Sequence, residues 1–179
     1  MAYTSPEKTF SVSELANAEM LNIYQRDNMR ASVHRIVQKL ADQSINNSTT
    51  LTNDTELFVE MGTNEVYYFR VFLELTNTVD TPHTQVAFTV PSGATICMAT
   101  YALDTGGFYN YLFWRSSGVP FSFYGPLVSH IRRLYEFEGF VTTASTAGKF
   151  QVQWAQSVAA ASNVHTVKDT SSIWGCKLV

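Results

Sequence analysis

Glu136 and Glu138 are the residues of this sequence best spaced for acid–base chemistry. Two positions apart on a strand, their carboxyl groups point the same way at about 7 Å, a separation that glycoside hydrolysis uses. They also alternate with Tyr135 and Phe137, as the polar face of an ordinary half-buried strand does, and that is the preferred reading. For nucleophilic catalysis there is no Gly-x-Ser-x-Gly elbow, and neither cysteine stands in a recognisable active-site context. His34, His83, His130 and His165 have no His or Cys partner at ligand spacing, and no Cys-x-x-Cys, His-Glu-x-x-His or acidic calcium loop occurs. No phosphate-cradling glycine loop is present either. The sequence thus assigns no catalytic residue, metal or cofactor, and a non-enzymatic protein is expected.

Binding chemistry is better represented. Aromatic residues crowd the stretch 101–124, with Phe108, Tyr109, Tyr111, Phe113, Trp114 and Tyr124 among them. Tyr109 and Tyr111 share one strand face opposite Phe108 and Asn110, so both faces are apolar or aromatic. A sandwich strand of a monomer needs one buried face only. Two covered faces point to a subunit interface, with a sugar-binding surface as the alternative. Arg26, Arg30 and His34 follow one another at helical i+4 steps beside Asp27, which fits a docking or solvated face better than a nucleic-acid reader. A formal net charge of −3 with no basic tract argues against polyanion binding. No run of about 18 apolar residues offers a membrane span. Synthesis and retention in the cytoplasm are expected from the lack of a signal-peptide pattern.

The elements that carry these residues divide near residue 43. Over 1–43 the pattern is helical: Ser11 and Glu14 have capping-box spacing, and Val33, Ile36, Val37 and Leu40 form an apolar stripe. Met29, Val33, Ile36 and Leu40 also fit a short heptad seam, so this arm is either a self-association helix or an amphipathic helix packed on its own domain. Over 44–179 the period switches to two. Tyr67, Phe69, Val71, Leu73 and Leu75 share a face, with Arg70 and Glu74 on the other. Further strands are predicted over 84–90, 135–141 and 149–154, and more weakly over 56–61, 95–103, 108–114, 121–128, 164–168 and 172–179. Gly139 interrupts an inner face and predicts a bulge. Eight to ten short strands between frequent turn signals predict an antiparallel β-sandwich, and an eight-stranded jelly roll fits the count. With 45% hydrophobic and only 15% charged residues the chain has core enough without crosslinks. Cys97 and Cys176 are expected to be small buried residues, with a single bridge between them left open.

Several stretches, in order, resemble small virion structural proteins of tailed bacteriophages. They are Ser13–Asn28 with its Leu21-Asn22 and Arg26-Asp27-Asn28 pairs, Asn47–Leu57, Tyr68-Phe69-Arg70, Phe88–Ala94, Tyr135–Gly139 and Gln151–Gln156. Gln25 departs from the small or aliphatic residue common there. The resemblance implies a homotrimeric jelly roll of the tumour-necrosis-factor type behind an N-terminal helical arm, acting as a tail, fibre or head-decoration component. Leu21, Asn22, Tyr24, Arg26, Asp27 and Asn28 would form the segment docked on other virion proteins of the capsid, neck or tail. Location in the virion, after assembly in the host cytoplasm, and attachment to host surface polysaccharide are further expectations of the same kind.

Overall fold

The computed structural model describes residues 35–79, 83–103, 109–123 and 132–178, the side chains of 101–112, 114, 121 and 123 excepted. Among the described residues there are twelve strands and no helix. They are β1 (Arg35–Gln38), β2 (Gln43–Asn46), β3 (Thr52–Met61), β4 (Val66–Asn77), β5 (Thr84–Thr89) and β6 (Thr95–Leu103), then β7 (Tyr109–Trp114), β8 (Phe121–Phe123), β9 (Arg133–Thr142), β10 (Gly148–Gln156), β11 (Val164–Val167) and β12 (Ser172–Lys177). All pairings are antiparallel. The larger sheet runs β1-β12-β4-β9-β6-β7, and the smaller runs β3-β10-β5-β8. The long strand β4 is flanked on one side by two short strands in line: β12 along Tyr67–Phe72 and β11 along Leu75–Asn77. Outside these, β1 pairs β12 and β2 pairs β11. Two long strands are thus each broken once, at residues 39–42 and 168–171, which is why the strand count exceeds the eight to ten expected. The Lys39 amide donates to the Ser171 carbonyl (2.9 Å), and the Asp169 amide donates to Asp42 Oδ1 (3.0 Å), so the breaks sit side by side.

The alternation read in the sequence is the packing that forms. Tyr67, Phe69, Val71, Leu73 and Leu75 of β4 are buried, as are Val86 and Phe88 of β5, Tyr135, Phe137 and Val141 of β9, and Phe150, Val152 and Trp154 of β10. Rings from the two sheets stack through the middle. Phe69 lies on Phe150 at 4.2 Å between centroids, Phe150 on Phe88 at 5.5 Å, and Phe88 meets Phe137 edge-on at 5.3 Å. Each such ring removed from water is worth roughly 1.5–3 kcal/mol. Gly175 makes room for the stack, because a Cβ there would stand 2.6 Å from Phe69 Cε1.

Three expectations are corrected. The helix predicted through Ile36 and Leu40 is not present there: Arg35–Gln38 is an edge strand. The stripe misled because Val37 serves equally well as one inward residue of a strand, packed on the core, between outward Ile36 and Gln38; β-branched residues favour that geometry. Inward-facing Lys39 then meets Asp54 of β3. Second, Gly139 marks no bulge. The pairing of β9 with β4 and β6 continues through it without a shift in register. A Cβ at Gly139 would overlap the Cys97 carbonyl oxygen and come within 2.7 Å of Met98 Cα, so glycine is required by close backbone approach. Third, the cysteines are not two buried residues: Cys97 is exposed and Cys176 half-buried, both free. The register row Cys176–Tyr68–Phe140–Cys97 puts two strands between them, roughly 14 Å at 4.8 Å per strand, beyond the reach of a bridge.

Candidate interaction surface

Each sheet has one face on the core, and the outward faces differ. The smaller sheet turns out Asn53, Glu60, Gln85, Thr89, Lys149, Gln151 and Gln153, with Phe58 covered by the Lys149 ammonium 3.9 Å from its ring centre. That is a surface made for water. The larger sheet turns out Ile36, Tyr68, Phe72, Phe113, Leu134, Phe140 and Trp174. Phe113, Phe140 and Trp174 are 57%, 50% and 45% exposed, high values for such large side chains.

Register places these side chains around a charged centre. One row across the sheet reads Ile36–Trp174–Arg70–Glu138–Ala99–Phe113, and the row above it Cys176–Tyr68–Phe140–Cys97. Below lie Phe72 beside Glu136, then Glu74 beside Leu134. Arg70 is bonded to the Glu136 carboxylate through both Nε (2.9 Å) and an Nη, and its guanidinium stands 5.3 Å from the Phe72 ring centre. Tyr68 donates its hydroxyl to Glu138 at 2.7 Å and tilts against Phe140, with centroids 5.3 Å apart. Phe72 meets Trp174 edge-on at 5.8 Å. Hydrogen bonding to Glu136 raises the Arg70 guanidinium above its ordinary value, and burial followed by the Glu138 bond raises the Tyr68 hydroxyl. The centre therefore keeps one cation, two carboxylates and one phenol donor, ringed by apolar side chains.

The predicted site residues fall unevenly on this frame. Leu21, Asn22, Tyr24, Arg26, Asp27, Asn28, Met29, Val33, Phe108 and Tyr124 lie outside the described residues. Tyr109, Tyr111 and Trp114 are in β7, and only their backbone is described. Phe113 is on the outward face. Ile36 and Leu40, read as helix contacts, lie at the β1 margin of the same sheet, 60% and 84% exposed. Glu136 and Glu138 share that face as alternation requires, each engaged by a neighbour on β4, Arg70 or Tyr68. His165 donates to or accepts from Thr84 Oγ1 at 2.8 Å, in the core and away from this face. Among the described residues no three His, Cys, Asp or Glu side chains gather as metal ligands, and no helix is long and apolar enough to cross a membrane. Sequence reasoning overlooked Tyr68, Phe72, Phe140 and Trp174. The signal was there for three of them, because Tyr68, Phe72 and Phe140 fall at alternate positions with Arg70, Glu136 and Glu138, on faces assumed to be solvated.

The sequence matches no known protein family, and no curated protein matches it. Solved structures that resemble the fold include that of infectious bursal disease virus, Gt strain, at 8% identity over 82% of this chain with a TM-score of 0.21. The VP2 subviral particle of infectious bursal disease virus is another, at 9% identity over 82% of this chain with a TM-score of 0.19. The chain spans about two fifths (41%) of the length of each. At those TM-scores neither likeness bears on fold or function.

Proposed function

We propose that this chain is a non-enzymatic structural component of a tailed-bacteriophage particle, a homotrimeric surface appendage of fibre or decoration type. Its β-sandwich is read as a jelly roll of the tumour-necrosis-factor type. The residues before 35, with Leu21, Asn22, Tyr24, Arg26, Asp27 and Asn28, attach it to capsid, neck or tail proteins, and Met29 and Val33 belong to the same arm. The observation that carries the reading is the outward face of the larger sheet. A contiguous apolar and aromatic face on one sheet, beside a polar one on the other, is what an assembly protein presents before its copies meet. The sequence resemblance supplies the particle.

Light scattering on the purified full chain tests it, with a shortened chain beginning at Arg35 alongside. Beginning at Arg35 keeps β1 and Lys39 in the fold. Three copies in both chains are expected; a monomer in both at all concentrations overturns the appendage reading.

A second reading rests on the same residues. Trp174, Phe140 and Tyr68 beside Glu138 and Arg70 offer the ring faces and hydrogen-bonding groups that a sugar requires, which fits a host-polysaccharide adhesin. Saturable binding of host surface polysaccharide, lost in Trp174→Ala, would favour it over a purely structural role. A glycan-cleaving role for Glu136 and Glu138 would require turnover of cell-wall glycan that disappears in Glu136→Gln or Glu138→Gln.

A further inference from the structure

We infer that the outward face of the larger sheet receives a different patch of a second copy of this chain, its β7 edge, and that Glu138 of one copy pairs with Arg115 of the next. The inference rests on the assembly reading above and specifies its geometry.

An excess charge at each of two patches motivates it. In the middle of the face one guanidinium, Arg70, serves two carboxylates: it is bonded to Glu136, while Glu138, opposite it in register, holds the Tyr68 hydroxyl. Covering an apolar face with one carboxylate in excess at its centre is costly unless the cover brings a cation. Arg115 is the complementary orphan. It directly follows β7, at the sheet's far edge, is exposed, and has no carboxylate partner among the described residues; its guanidinium merely stands over the Phe113 ring at 5.8 Å. Phe113 and Arg115 together make an aromatic residue with a free cation beside it on an edge. Trp174, Tyr68, Phe140 and Glu138 make an aromatic patch with one carboxylate in excess of its cations. The two patches complement each other in both chemistry and charge.

The two patches adjoin on one sheet, with Phe113 two strands from Glu138 in the same row. A two-fold contact would make the Glu138–Arg115 pair twice, whereas the trimer proposed above makes it once at each interface, between two different patches. An edge-on-face contact is head-to-tail, and closes when rotation returns the last copy to the first, as in a three-membered ring. Without β7 the receiving face measures roughly 19 Å across its five strands and about 26 Å along them, about 500 Å², of the order of the 800 Å² that each partner of a stable complex buries.

Charge exchange tests the pairing, with the full chain and light scattering across a dilution series. Glu138→Arg and Arg115→Glu should each raise the dissociation constant about a hundredfold, with unchanged circular dichroism because both residues are on the surface. The double variant Glu138→Arg/Arg115→Glu should reassemble to within about tenfold of the original chain. An original chain that assembles normally while the single variants assemble equally well overturns this inference and leaves the assembly reading standing. Single variants that dissociate without rescue in the double overturn the Glu138–Arg115 pairing in the same way. A monomeric original chain overturns both.

Discussion

Replacing Lys39 by methionine isolates the least expected contact in the core. Lys39 and Asp54 have fully buried side chains joined at 2.9 Å, and Lys39 Nζ also lies 3.3 Å from Glu56 Oε2. Asp54 Oδ1 accepts the amides of Glu56 (3.0 Å) and Leu57 (2.9 Å), while its buried Oδ2 has no hydrogen-bond partner among the described residues. Methionine keeps the volume of the lysine stem and deletes the ammonium. Asp54 is then a buried carboxylate steadied by two amide dipoles alone, a situation that costs about 3–5 kcal/mol. The double variant Lys39→Met/Asp54→Asn removes both charges but retains a side-chain carbonyl for the two amides. Its cost should fall to about 1–2 kcal/mol, the scale of weakened neutral hydrogen bonds. The single variant should therefore be the less stable of the two, although it carries fewer changes. Urea unfolding followed by tryptophan fluorescence, to which buried Trp154 contributes, at one fixed protein concentration, measures the order. Because the pair is shielded from solvent, raising the salt to 1 M should leave the difference unchanged. A Lys39→Met chain within about 1 kcal/mol of the original, or a gap between the single and double variants that 1 M salt removes, would refute a desolvated charge pair.

Other outcomes follow from separate contacts. Burial pushes the Glu65 carboxyl up, but Lys177 (2.8 Å), the Tyr67 hydroxyl and the Gly62 amide (2.9 Å) together bring it below its ordinary 4.5. The folded state then holds this proton less readily than the unfolded one. Its stabilisation is complete above about pH 5 and disappears as pH falls through the lowered value. Glu65→Gln should be about 1–2 kcal/mol less stable at pH 7, with the gap closing as pH falls through the lowered value in parallel urea titrations; a gap independent of pH would refute the assignment. Gly139→Ala should cost more than about 3 kcal/mol in thermal unfolding or yield no folded protein, since backbone atoms of β6 occupy the Cβ position. Mass spectrometry without reductant should find both thiols unbridged within the chain; a Cys97–Cys176 linkage would contradict the register.

What the sequence told reliably was the inward half of each strand. Tyr67 through Leu75 and Phe150 through Trp154 alternate strictly, and a period of two leaves little choice of face once one side is plainly apolar. The outward half was harder, because Arg70, Glu136 and Glu138 mark those faces as solvated while Tyr68, Phe72 and Phe140 sit between them. Only register reveals that these aromatics adjoin Trp174 and Phe113, contributed by strands distant in the chain. The residues 35–40 were misread because Val37, Ile36 and Leu40 satisfy a helical stripe, and local spacing cannot report that β12, more than a hundred residues later, offers an edge to pair with. Of the aromatic run 101–124, Phe113 lies on the outward face of the larger sheet, yet most of that face comes from β4, β9 and β12.

The pairing of Arg35 with Gly175 sets the first and last described strands next to each other, running in opposite directions. The sandwich therefore begins and ends at one spot on its rim. Topologically it is a pendant, a loop of chain that another polypeptide could carry as an insertion without altering its own path. The same adjacency makes the order of the strands negotiable: a short linker from Leu178 to Arg35, with new ends opened in the exposed turn at Ser145–Thr146, should give a permuted chain of the same fold.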